Sequence, residues 1–61
     1  MASPYFVLSK SVNGQFYFYL QAPNGEKIAT SETYTTKAAA QNGIASVKVN
    51  APIAPTLDIT N

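Results

Sequence analysis

Hydrophobic and polar residues alternate strictly from Gln15 to Ala22. Phe16, Phe18 and Leu20 point one way, and Gln15, Tyr17, Tyr19 and Gln21 point the other. A period of two predicts a strand with two distinct faces. Tyr5 to Ser11 is rich in aromatic and β-branched residues and predicts a strand before it. Lys27 to Ser31 predicts a third, shorter one. Val12-Asn13-Gly14 and Pro23-Asn24-Gly25 are turn signals between them, so the first half of the chain is expected to be an antiparallel meander.

The turns can be tested against the faces, because residues paired across strands share a side of the sheet. A two-residue Asn13-Gly14 loop would pair Leu8 with Tyr19. A three-residue Val12-Asn13-Gly14 loop pairs Leu8 with Phe18 and Phe6 with Leu20, which groups the large apolar side chains. The second arrangement is a type I turn followed by a left-handed residue, and Gly14 supplies the positive φ. The same reasoning at Pro23-Asn24-Gly25 pairs Leu20 with Ile28 and Phe18 with Thr30. Both hairpins then predict one core face of Phe6, Leu8, Phe16, Phe18, Leu20 and Ile28. The opposite face is expected to carry one row of Val7, Tyr19 and Ala29 and another of Ser9, Tyr17 and Ser31, with Tyr5 beside them.

After Tyr34 the pattern changes. Ala38, Ala39 and Ala40 are strong helix formers. Ala40, Ile44 and Val47 recur at helical spacing as a narrow apolar stripe. Thr35 or Thr36 can cap the helix start. Asn50 is a candidate C-cap, and Pro52 stops the helix. Gly43 lies inside this run at a cost of about 1 kcal/mol relative to alanine, which predicts close packing of the helix on the aromatic face. In the tail, only Thr56 to Thr60, with Leu57 and Ile59 alternating, reads as a strand.

The run Asn24-Gly25-Glu26, Ile28-Ala29-Thr30-Ser31-Glu32, Tyr34, Lys37-Ala38-Ala39, Asn42-Gly43-Ile44 and Ser46-Val47 closely resembles the YegP-like family of small uncharacterised bacterial proteins. The resemblance spans Tyr5 to Pro52. It implies an α+β fold, a β-β-β-α-β unit with an antiparallel meander and one helix packed on one face. It also implies that two units build one continuous sheet and exchange their C-terminal strands, so this chain is expected to be a homodimer. The expected division is a single module over 1–61, with a core of about 4–50 and a tail of 51–61 holding the swapped strand near 56–60. The family has no established biochemical function. Tyr17 and Tyr19 depart from it, standing where many members carry basic or polar residues, and the tail beyond Pro52 matches no family pattern.

Size and composition narrow the chemistry. Chains of 61 residues bury little surface, and small domains usually add a disulfide, a metal or a partner subunit. With no Cys and no His, association is the remaining staple, and no cofactor or metal is expected. Four Lys face three acids, too few cations for a dedicated duplex binder. The start, Met-Ala-Ser-Pro, has no signal-peptide pattern, and no apolar run approaches a membrane span, so a cytoplasmic location is expected. Without His, Cys or a sheltered carboxylate pair, the chain is not expected to be an enzyme.

Two sets of residues remain as candidate sites. Glu32, Thr35, Thr36, Lys37 and Asn42 form a candidate polar groove at the helix start, where free N–H groups favour an anion or weakly held single-stranded nucleic acid. The plain alternative is capping and loop hydrogen bonding. Tyr5, Tyr17 and Tyr19 form a candidate interaction face for a protein or peptide partner, since exposed aromatic patches mark such sites. The plain alternative there is cross-strand stabilisation.

Overall fold

A computed structural model describes residues 3–60. It contains strands β1 (Tyr5–Lys10), β2 (Phe16–Gln21) and β3 (Lys27–Thr30), then helix α1 (Lys37–Asn50) and one 3₁₀ turn (Ala51–Ile53). The strands form an antiparallel sheet in the order β1-β2-β3.

The first hairpin has the register that side-chain matching predicts, with Leu8 opposite Phe18 and Phe6 opposite Leu20. Ser11 N–H donates to Gln15 O at 2.7 Å, which leaves Val12-Asn13-Gly14 as the loop, and Gly14 has φ +83°. The second turn also has the expected length. Ala22 N–H donates to Glu26 O at 2.7 Å, and Gly25 has φ +91°.

Beyond that turn the prediction fails. The register shifts by a bulge between Leu20 and Gln21, so Leu20 pairs with Ala29 and Tyr19 with Thr30. Ile28 is therefore not a core residue but 60% exposed. Ala29 and Ser31 move to the helix side, where Ser31 lies opposite Phe18. A bulge of one residue reverses every side chain that follows it. What the shift gains is satisfied polar groups and aromatic packing. Ser31 Oγ accepts from Phe18 N–H at 2.9 Å, and Phe16 and Tyr34 exchange both backbone hydrogen bonds at 2.8 and 2.6 Å. That exchange seats the Tyr34 ring against Phe18, 6.1 Å between centroids and nearly parallel.

Helix α1 starts at Thr36, which is extended at φ −129° and accepts a hydrogen bond from Ala39 N–H at 3.1 Å. This satisfies one of the orphan donors of the first turn. Thr36→Ala is expected to lower stability by about 1 kcal/mol, read as an earlier midpoint in a urea melt. Thr35→Ala, which removes no cap, should leave the midpoint in place.

The helix lies over β1 and β2 and leaves β3 uncovered. Its stripe turns inward as expected: Ala40 is fully buried, and Ile44 and Val47 are half-buried. A Cβ on Gly43 would stand 2.6 Å from Tyr34 Oη and 2.9 Å from Phe18 Cε2, which is the close approach that the glycine predicts. Phe18 and Ala40 are the only buried hydrophobic residues among those described.

Among the described residues the tail contains no strand. Residues 54–60 follow the 3₁₀ turn without regular structure, and Leu57 and Ile59 stand 84% and 82% exposed. A strand needs a neighbour to satisfy its backbone groups, and the sheet of this chain offers the tail none that it reaches.

Candidate functional site

Two surfaces stand out, one on each side of the sheet. The helix side carries an apolar groove of about 400 Å³ beside β3. Phe6, Phe18 and Leu20 line it from the sheet and Val47 from the helix, with Tyr34 at one wall. Ala29, Thr30, Ser31 and Glu32 form its outer rim along the free edge of β3. The groove exists because α1 stops short of β3. Lys48 lies near Phe6, its Nζ 5.8 Å from the ring centroid. Tyr34 had no structural role assigned from sequence. The available signal was an aromatic residue between the last strand and the helix cap.

The opposite side carries the tyrosine set. Val7 pairs with Tyr19 and Ser9 with Tyr17, as the alternation predicts. The Tyr17 and Tyr19 rings lie 6.3 Å apart and tilted by 32°. Tyr5 is 53% exposed, while Tyr17 and Tyr19 are half-buried among their neighbours. Lys27 places its ammonium 4.4 Å from the centre of the Tyr19 ring. Such an exposed cation–π contact contributes about 0.5–1 kcal/mol. At the bulge Lys27 and Ile28 together oppose Gln21, which keeps Ile28 on this face as well. Ile28 was missed as a member of this surface because the bulge, and no sequence period, brings it there; Lys27 lies before the bulge and keeps the pairing with Gln21 that the turn length predicts.

Thr36 spends its hydroxyl on the cap, and Glu32 sits on the groove rim. Thr35, Lys37 and Asn42 are exposed on the cap loop and the helix. Lys10 lies on the helix side, its Nζ 5.2 Å from the Phe16 ring centre. In the tail, the Thr60 hydroxyl and N–H donate to Asp58 Oδ1 at 2.6 and 2.9 Å, and these bonds hold the Asp58 carboxyl below its ordinary range. Among the described residues there is no cluster of metal-ligating side chains and no helix long and apolar enough to cross a membrane.

A three-stranded meander with one helix on one face, an open groove at the sheet edge and an aromatic outer face defines a small α+β module. Residues 11–58 match the family described as a domain of unknown function, DUF1508. The chain is 51% identical over 59 residues to the UPF0339 protein plu2779 of Photorhabdus laumondii, covering 97% of this chain and 52% of that protein. It is 58% identical over 48 residues to the UPF0339 protein YegP of Escherichia coli K12, covering 79% of this chain and 44% of that protein. A solution structure of a protein from Haloferax volcanii superposes with a TM-score of 0.85 at 32% identity, covering 95% of this chain and 98% of that one. The chain thus belongs to the DUF1508, YegP-like family, whose function is uncharacterised, and it spans about half the length of the curated relatives named here. The family match runs through the tail to residue 58, past Pro52, where the sequence resemblance ended.

Proposed function

We propose that this chain is a non-catalytic module that works as a homodimer and offers its tyrosine face to a protein or peptide partner. In this reading the tail of one protomer lies along the free edge of β3 in the other and sets Leu57 and Ile59 into the groove. The groove is the observation that carries the reading. It is apolar, it borders unpaired backbone, and α1 leaves it open. The same chain holds two large aliphatic side chains in strand alternation with almost nothing covering them. Burying each contributes about 1.5–3 kcal/mol, which is large for a domain whose own core is so thin. Exchange of an identical segment is a low-cost route to a dimer, and it covers the β3 edge. Two further findings support it. The tail lies within the family match, and the longer relatives have room for a second stretch of similar length.

With the edge covered, Tyr5, Tyr17 and Tyr19 stay on the outer face of the sheet, joined by Lys27 and Ile28. The test has two arms. Light scattering should give twice the chain mass for the parent and the chain mass for the Leu57→Ser, Ile59→Ser double variant. A parent that is monomeric at micromolar concentration would end the dimer reading. In the second arm, the Tyr17→Ser, Tyr19→Ser variant should remain dimeric but lose partners captured from host lysate by the parent. An unchanged set of captured proteins would remove the face as the binding surface.

A further inference from the structure

Asn-Gly occurs three times in the chain, at Asn13-Gly14, Asn24-Gly25 and Asn42-Gly43. In this dipeptide the glycine nitrogen can reach the asparagine side-chain carbonyl carbon, because glycine has no Cβ to obstruct the approach. We propose that Asn13 is a site of spontaneous covalent modification, converted to aspartate and isoaspartate, and that the surroundings of Asn24 and Asn42 oppose the same reaction.

The step balances without any cofactor. The Gly14 amide nitrogen bonds to Asn13 Cγ and gives its proton to solvent. The Cγ–Nδ2 bond breaks, and Nδ2 takes up a proton from solvent and leaves as ammonia. Water then opens the cyclic imide at either carbonyl, giving aspartate or isoaspartate at position 13.

Negative charge develops on Oδ1 during the attack. At Asn13 that oxygen already accepts two hydrogen bonds, one from the Ser11 hydroxyl, whose single proton has Gln15 O at 3.3 Å as a longer second acceptor, and one from Gln15 N–H at 3.2 Å. Donors aimed at an oxygen where charge develops are commonly the strongest source of transition-state stabilisation. The loop also yields readily. Gly14 N–H must leave Ser11 O, its turn partner at 3.0 Å, but nothing stands within 4 Å of the position a Gly14 Cβ would take, and Val12 is fully exposed. Opening this turn disturbs no packing.

The other two sites differ in ways that matter to the same step. Asn24 Oδ1 accepts only from Glu26 N–H, and Asn24 Nδ2 donates to Glu26 Oε1 at 3.3 Å. The Glu26 carboxylate opposes negative charge on the neighbouring carboxamide and would repel the product. Asn42 and Gly43 lie within α1, and Gly43 is wedged against Tyr34 and Phe18, so ring closure there requires the helix to open over the core. The products at position 13 also differ in consequence. Aspartate keeps both acceptor bonds, since Asn13 uses only Oδ1 in them. Isoaspartate lengthens the loop backbone and breaks the Ser11–Gln15 pairing that sets the hairpin register.

The experiment is incubation of the intact folded chain at mildly alkaline pH, with peptide mapping by mass spectrometry over time. Conversion at Asn13 is expected to run several-fold faster than at Asn24 or Asn42, and the preference should vanish in denaturant, where the three dipeptides become alike. Ser11→Ala should slow Asn13 several-fold and leave Asn24 unchanged. Ser11→Thr, which keeps the hydroxyl, should stay close to the parent and serves as the readout if Ser11→Ala proves unfolded by circular dichroism. Equal rates at Asn13 and Asn24 in the folded chain, a lead at Asn24 or Asn42, or a folded Ser11→Ala with unchanged Asn13 conversion would each overturn the proposal, as would slow conversion in a folded Ser11→Thr.

Discussion

Phe18→Ala is expected to leave the chain largely unfolded at room temperature. Phe18 is the one large buried side chain among the described residues, 6% exposed. It meets Phe6 edge-on at 6.0 Å, stacks on Tyr34 at 6.1 Å and supports the close approach of α1 at Gly43. Removing a buried phenyl ring costs about 3–5 kcal/mol. Typical per-residue stability puts a domain of this length at about 3–9 kcal/mol in total. The loss is therefore comparable to everything that holds the module together. Far-ultraviolet circular dichroism through a urea titration reads the outcome. Phe16→Ala is the control, because Phe16 is only half-buried, and it should shift the midpoint without abolishing the transition. A Phe18→Ala variant that unfolds cooperatively with a urea midpoint close to the parent's would show that the core does not rest on this ring.

Gly43→Val is expected to destabilise at the upper end of the overpacking range, about 1–3 kcal/mol. Helix propensity alone favours a substitution here, since glycine is the poorest helix former after proline. Space decides against it. A Cβ would stand 2.6 Å from Tyr34 Oη and 3.0 Å from Tyr34 Cζ, with the Phe18 ring edge at 2.9 Å. Tyr34 is stacked on Phe18 and tied through its backbone to Phe16, so its ring has little freedom to withdraw. Gly43→Ala isolates the contact. Removing the nearest atom with Tyr34→Phe should recover part of the loss in the double variant, a coupling that a double-mutant cycle measures. Strict additivity of the two changes would refute this account of the glycine.

These two residues mark how much of the fold is legible in the sequence. Gly43 in a helical stripe correctly signals a tight approach, because a costly residue inside a helix requires a reason. Phe18 sits at the centre of an alternating run, and its burial follows from period and turn length. The Val12-Asn13-Gly14 loop sets the β1–β2 pairing through local geometry alone, and Thr36 caps the helix through its own hydroxyl. The tyrosine face was legible for the same reason, since Tyr17 and Tyr19 lie in the strand whose period is cleanest.

Ile28, Ala29, Ser31 and Tyr34 were not legible. Hydrophobic matching favours Ile28 inside, and the turn before it has the expected length. The bulge trades that burial for the Ser31–Phe18 and Phe16–Tyr34 hydrogen bonds and for the stacked Tyr34 ring. Those contacts join residues more than ten positions apart, so no local window contains them. The groove was likewise hidden, because it depends on where α1 ends its cover of the sheet.

Local geometry by itself thus determined the three strands, both turn lengths, the helix with its cap, and the need for glycine at position 43. Tertiary structure alone decided which side of the sheet the residues after Lys27 occupy, that Ile28 joins the tyrosines, and that an open apolar groove borders β3. The physical reason is that strand period and turn chemistry act between neighbours in sequence. The position of a bulge and the reach of a helix are settled by summing distant hydrogen bonds and ring contacts across the whole fold.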